Sequence, residues 1–243
     1  MAVCKLQKRE YSDVAKFIEE CRTLYDTYEL KVSELDHLKL LNILGIVYTE
    51  TNLYQLALLT LQSALVMARE HNHYELFTEV LNNLGVLYLK TGMVNEALEV
   101  FKVCYQKKLQ ITGADSPTLV STVFNVVECY TRLERFEDAV LLLKDIRKLL
   151  TKNDMISDIC EMPLRMGAIE HMRGRVKEAK ACLELSKQYV TDQPDIRYGH
   201  LQHQIGLLEM TLGDRVRARK CLEEACKIYV GFTNKDNDLV KKG

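Results

Sequence analysis

Leu81–Phe101 reads LNNLGVLYLKTGMVNEALEVF. Apolar residues recur at three- and four-residue spacing on both sides of a short polar break, the pattern of an amphipathic helix, a turn and a second helix. Gly85 falls inside the first helix, where glycine costs about 1 kcal/mol relative to alanine. Gly92 falls at the break, where a residue tolerant of left-handed backbone ends a helix.

The stretch has relatives. LNILGIVYTETNLYQLALLTLQSAL begins at Leu41 and matches it at Leu44/Leu84, Gly45/Gly85, Tyr48/Tyr88 and Ala57/Ala97, with Leu61 under Phe101; the offset is 85 − 45 = 40 residues. VFNVVECYTRLERFEDAVLLLKDI keeps Tyr130, Ala139 and Leu143 at 130 − 88 = 42. MGAIEHMRGRVKEAKACLEL keeps Gly167, Ala179 and Leu183 at 179 − 139 = 40, and IGLLEMTLGDRVRARKCLEEA keeps Gly206, Ala218, Leu222 and Ala225 at 218 − 179 = 39. YSDVAKFIEECRTL, with Val14, Phe17, Ile18 and Cys21 as its stripe, reads as the second half of one more unit.

A period near 40 residues with two apolar stripes per unit predicts an array of helix pairs, helix A then helix B. The A–B turn falls at Asn52, Gly92, Glu134, Gly174 and Gly213. Glu134 is the exception to the Gly/Asn rule and leaves the form of that turn open. The helix-A glycine and helix-B alanine are predicted to mark the closest crossing of each pair, where packing offsets the lost propensity. Tyr48, Tyr88 and Tyr130 fill the adjacent gap.

The pattern L-G-x-x-Y, then A-x-x-x-F/L and a small residue, resembles the tetratricopeptide repeat. It is carried by Leu44, Gly45, Tyr48, Ala57, Leu61 and Ala64, and by Leu84, Gly85, Tyr88, Ala97, Phe101 and Cys104. The resemblance spans roughly residues 35–230. It departs at Glu170 and Glu209, which replace the tyrosine, and at Val127, which replaces the glycine. The units exceed the family's usual 34 residues and are similar to the long-repeat subgroup of kinesin light chains and the Leu-Gly-Asn-repeat regulators of spindle orientation. The resemblance implies an all-α, right-handed superhelical α-solenoid of antiparallel helix pairs. It implies one domain over 1–243: a partial repeat at 1–34, about five helix pairs at 35–230, and a polar tail at 231–243.

Such arrays bind segments of other proteins along a groove lined by the A helices, so the resemblance implies a protein-binding adaptor. The groove positions are Ile43, Asn83, Asn125, Arg165 and Gln204, one residue before the aligned core position, and Glu50, Lys90, Arg132, Met172 and Thr211 further along. Asn83 and Asn125 carry amides that can donate to and accept from a peptide backbone, and Gln204 is a further partner-binding candidate. Lys90, Arg132 and Arg165 form a cationic stretch that predicts an acidic or phosphate-bearing, extended partner segment. The Lys/Asn clamp for a C-terminal carboxylate is missing, because its places hold Asn42 with Ile46 and Asn82 with Val86.

The composition fits this reading. The 243 residues hold 3 Pro, 11 Gly and no Trp, too few breakers for a many-stranded β fold. Lys+Arg number 33 and Asp+Glu 34, a net charge of −1, so no global basic field invites nucleic acid. DRVRARK at Asp214–Lys220 reads as a solvated face. No apolar run approaches the roughly 20 residues of a membrane span, and MAVCKLQKRE lacks a signal core. The expected location is the cytoplasm or the nucleus.

Eight cysteines without C-x-x-C read as reduced core residues. His71 with His73, and His200 with His203, are two-ligand pairs too small for a metal site. TGADSPT lacks the P-loop lysine and reads as a turn in which Ser116 or Asp115 caps the next helix. No catalytic motif or cofactor site occurs. A second reading is a structural subunit of a larger assembly, packed through its outer faces and ends; starting on half a unit would leave an apolar end to cover.

Overall fold

The computed structural model describes residues 33–152, 156–189 and 196–240. All regular elements among the described residues are α-helices. The half-unit containing Val14, Phe17, Ile18 and Cys21 lies outside the described residues. The chain divides into two compact units, one ending at Leu133 and the other beginning at Glu134.

The first unit contains α1 (Glu34–Glu50), α2 (Tyr54–Glu70), α3 (Tyr74–Lys90), α4 (Val94–Thr112) and α5 (Leu119–Arg132). Ser33 caps α1, its hydroxyl accepting from the Asp36 N–H at 3.1 Å. α1 packs on α2 and α3 on α4, and each tight turn makes the pair antiparallel. The A helices α1, α3 and α5 also lie side by side. The core between the layers holds Leu38, Leu44, Ala57, Leu61 and Leu84, with Tyr48 at its margin.

The turns follow the predicted register. Asn52 has φ 64° and Gly92 φ 81°. The N–H groups that follow, of Leu53 and Met93, reach back to the Tyr48 and Tyr88 carbonyls at 2.8 and 2.9 Å. This is the Schellman closure of a helix end. Glu134, the residue that left its turn open, takes the same left-handed form at φ 57°. Ser116 accepts from the Thr118 N–H at 3.3 Å, ahead of α5 rather than within its first turn.

Gly85 is forced by packing. A Cβ there would lie 2.5 Å from Phe101 Cε1, and Phe101 is fully buried. At Gly45 the added atom would overlap Leu61. The sequence rule needs one adjustment: the side chain that occupies the glycine's space is the Leu or Phe one turn beyond the alanine. The alanine contributes its backbone, as in the second unit, where the Ala179 and Ala218 carbonyl oxygens come within 3.4 and 3.3 Å of the Cβ positions of Gly167 and Gly206.

The second unit contains α6 (Phe136–Lys152), α7 (Ile156–Met172), α8 (Val176–Lys187), α9 (Ile196–Leu212) and α10 (Arg215–Val240). α7 pairs with α8 and α9 with α10, with α6 on α7 and α8 on α9. Leu164, Ala179, Leu183, Leu201 and Leu208 make its core. α10 continues through most of the polar stretch after residue 230.

Glu170 and Glu209, at the tyrosine positions, are both 6% exposed. Glu170 accepts from Arg173 Nη1 at 3.0 Å, and Arg173 Nη2 donates to Glu137 of α6. Glu209 sits 3.4 Å from Arg217 Nη1 of α10. Burying a carboxylate demands a partner, and each replacement of tyrosine is matched by an arginine.

Candidate partner-binding face

The site residues of the first unit lie on the side of α1, α3 and α5 away from the B helices. The A-helix pattern dictates this. Leu44, Gly45 and Tyr48 face the core, so Ile43, Ile46 and Glu50 turn outward, Ile43 being 47% exposed. Asn83, Val86 and Lys90 repeat these places on α3, and Asn125, Glu128 and Arg132 on α5.

The asparagines form a ladder across the three helices. Asn83 Nδ2 donates to Asn42 Oδ1 at 2.8 Å, and Asn125 Nδ2 donates to Asn82 Oδ1 at 2.9 Å. The rungs are equivalent: each joins a residue two places before the aligned core position to one a single place before it on the next A helix. The dipeptide Asn82-Asn83 serves both rungs. Asn42 and Asn82, read from sequence only as a missing clamp, are the acceptors of this ladder. An asparagine offers two N–H donors and a carbonyl with two lone pairs, so one rung does not exhaust it.

The cations are each matched by a carboxylate. Lys90 Nζ meets Glu50 at 2.5 Å across α1 and α3. Arg132 Nε donates to Glu128 at 2.7 Å, while its Nη1 donates to the Leu89 carbonyl of α3 at 3.0 Å. The face is therefore a mosaic of amides, exposed isoleucines and ion pairs rather than a bare cationic strip.

In the second unit, Arg165 of α7 pairs with Glu161 at 2.7 Å. Gln204 on α9 is partly exposed. His171 Nε2 and Thr211 Oγ1 join α7 to α9 at 2.7 Å, at nearly the station where Lys90 and Glu50 join α3 to α1. Met172 is 56% exposed. The structure thus places Asn83, Lys90, Asn125 and Arg132 on neighbouring A helices of one unit, and Arg165 and Gln204 on A helices of the other.

The remaining candidates have plain roles. His71 Nδ1 pairs with Glu34 at 2.6 Å and its ring stacks on His73, tying the end of α2 to the start of α1. Among the described residues no group of three or more His, Cys, Asp or Glu side chains is placed to hold a metal. No described helix is long and apolar enough to cross a membrane. Cys104, Cys129, Cys182, Cys221 and Cys226 are free thiols.

The fold is an array of antiparallel helix pairs similar to that of tetratricopeptide-repeat proteins. Residues 78–118, which contain most of α3 and all of α4, match the tetratricopeptide repeat family model. No curated protein sequence matches the chain significantly.

Solved structures share the fold. BtubC (BKLC) from P. vanneervenii has a TM-score of 0.67 at 17% identity, over 94% of this chain and 92% of that one. A Podosopora anserina putative kinesin light chain with nearly identical TPR-like repeats has 0.62 at 17%, over 81% and 96%. NprR in complex with its cognate peptide NprX has 0.69 at 18%, over 92% of this chain and 63% of that one; NprR is a quorum sensor from B. thuringiensis.

Proposed function

We propose that this protein is a non-enzymatic adaptor that holds a segment of a partner protein along the outward face of its A helices. The observation that carries the reading is the repeated station on α1, α3 and α5, where amides and ion pairs recur at one register beside exposed Ile43 and Ile46. Amides at a fixed spacing suit a peptide backbone, and isoleucines suit alternate side chains of an extended strand. Two structures of the same fold are described with bound peptides: NprR with NprX, and the Rap conjugation gene regulator of plasmid pLS20 with the Phr* peptide.

An acidic partner residue would enter by exchanging with Glu50 or Glu128 for Lys90 or Arg132. This exchange makes the gain from each charge small, because one ion pair replaces another. Specificity then rests on the amides and the isoleucines, and Arg165 and Gln204 extend the same chemistry on the second unit.

A second reading, a subunit packed through its end, has one observation in its favour. Leu61, Phe101, Leu143 and Leu183 are all 0–3% exposed, but the equivalent Leu222 on α10 is only partly buried, and nearby Val216 is 81% exposed.

The test is binding to partners recovered by crosslinking, using two variants. Combined Asn83→Ala, Lys90→Ala, Asn125→Ala and Arg132→Ala is expected to abolish binding with helicity retained. Val216→Glu is expected to leave it intact. The reverse outcome assigns the function to the end of the array.

A further inference from the structure

Within the second unit a groove of about 730 Å³ is lined by the last turn of α9 and the first half of α10. Met210 of α9 and Ala218, Leu222 and Cys226 of α10 give it an apolar floor. The three α10 residues recur every four positions and so share one helical face. Met210 is 57% exposed, and Cys226 is exposed as well.

The repeat itself shows what fits beside such a pair. α3 lies against both α1 and α2, α5 against both α3 and α4, and α9 against both α7 and α8. In each case a helix packs on the two members of the pair before it. Among the described residues no helix packs on α9 and α10 in that way.

The rim of the groove departs from the other pairs in charge. Arg215 precedes Ala218 by three places, where the earlier pairs have Tyr54, Val94, Phe136 and Val176 before their own alanines. Arg219 follows Ala218 directly, where they have Leu58, Leu98, Val140 and Lys180. Leu98 and Val140 are buried, whereas the Arg219 side chain is 81% exposed. Lys227 adds a third cation to the lining. Glu223, which accepts from Arg219 Nε at 2.7 Å, is the one carboxylate among the described lining residues. The floor thus keeps the apolar chemistry that receives a helix, while the rim is net positive.

We propose that this groove receives an amphipathic helix of a partner protein whose apolar stripe is flanked by glutamate or aspartate. The stripe covers Met210, Ala218 and Leu222, as an A helix covers the earlier pairs. The flanking carboxylates meet Arg215 and Arg219 through charge-assisted hydrogen bonds, which fix the helix's direction and register. The site lies on the second unit, away from the asparagine ladder of the first, and it stands whether or not that face binds a partner.

The test is fluorescence anisotropy of the full chain at pH 7 with three labelled peptides of about 18 residues, five helical turns. One has leucines at three- and four-residue spacing flanked by glutamates. The second has lysines in place of the glutamates, and the third is the first one scrambled. The glutamate peptide is expected to bind saturably, and the other two at least tenfold more weakly. The double variant Arg215→Glu/Arg219→Glu is expected to exchange the preference, losing the glutamate peptide and gaining the lysine peptide. That gain is a readout which a misfolded chain does not give. Met210→Asp, at an exposed position on the floor, is expected to weaken both peptides. The combined Asn83, Lys90, Asn125 and Arg132 variant is expected to bind the glutamate peptide as the parent does. No saturable binding, equal affinity for the scrambled peptide, or a preference unchanged in the double variant would overturn the proposal. Loss of the glutamate peptide in the four-residue variant alone would also overturn it, by placing the peptide on the A-helix face. So would self-association of the chain that Met210→Asp abolishes, which would give the groove to a second copy.

Discussion

Gly85 shows how one residue can lose locally and gain overall. Alanine there would recover about 1 kcal/mol of helix propensity. It would also drive a methyl into the buried Phe101 ring, and overpacking costs about 1–3 kcal/mol. Gly85→Ala is therefore expected to lower the melting temperature by several degrees, with partial recovery when Phe101→Leu is added. Gly92→Ala is a useful contrast. Nothing lies within 4 Å of its added Cβ, so its loss comes only from the positive φ of 81°. Phe101→Leu should give it no relief, and recovery in both backgrounds would contradict the packing explanation.

The thiols give a second residue-scale prediction. Cys129 is fully buried; burial, with a smaller push from Glu128, raises its pKa to about 11. An unfolded cysteine ionises near pH 8.5. Below that pH both states hold the proton and the stability from burying the neutral thiol is fully present. Between about 8.5 and 11 only the unfolded state releases the proton, so stability falls as pH rises. Denaturant midpoints are expected to drop across that window. At pH 8 iodoacetamide should label the exposed Cys226 well before Cys129 or Cys104. Labelling all three at one rate would show that the core opens freely.

At the scale of elements, the turns were the most legible part of the fold. A left-handed residue is a local demand, so Asn52, Gly92, Gly174 and Gly213 could be placed by aligning one helix pair on another; all four have positive φ. Glu134 resisted because a glutamate does not advertise that conformation, and only its register gave a hint. Glu170 and Glu209 resisted for another reason. A mid-helix carboxylate reads as exposed until its arginine is located, and Arg173 reaches from the end of α7 to Glu137 on α6.

That triad carries a prediction. The Arg173 and Glu170 side chains are 10% and 8% exposed, and removing one partner of a buried pair costs about 3–5 kcal/mol. Arg173→Met is expected to lower the melting temperature by about 10 °C, at about 2–4 °C per kcal/mol for a chain of this size. Arg173→Met combined with Glu170→Leu should recover most of the loss, because two apolar groups leave no unpaired charge. If the double variant is as unstable as the single one, the triad holds the unit by something other than charge pairing.

At the scale of the whole molecule, the period of about 40 residues fixed which helices would pair and which would stand side by side. It also placed Asn83, Lys90, Asn125 and Arg132 on one face of the first unit. It did not reveal what those residues touch. A lateral bond such as Asn83 to Asn42 spans 83 − 42 = 41 residues and depends on the sideways spacing of two A helices, which no single helical wheel contains. The dipeptide Asn82-Asn83 was the available signal, since a double amide can serve neighbours on both sides.

The ladder and the ion pairs make the proposed binding face part of the scaffold, so a loss-of-binding variant alone could report a loosened first unit. A photo-crosslinking amino acid avoids the ambiguity. It should be placed singly at Ile43, Val86 and Val216, exposed or partly exposed positions outside the ladder and the ion pairs. Partner adducts at Ile43 and Val86, and none at Val216, are the result expected of an adaptor that works through its A helices. Adducts confined to Val216 would contradict it.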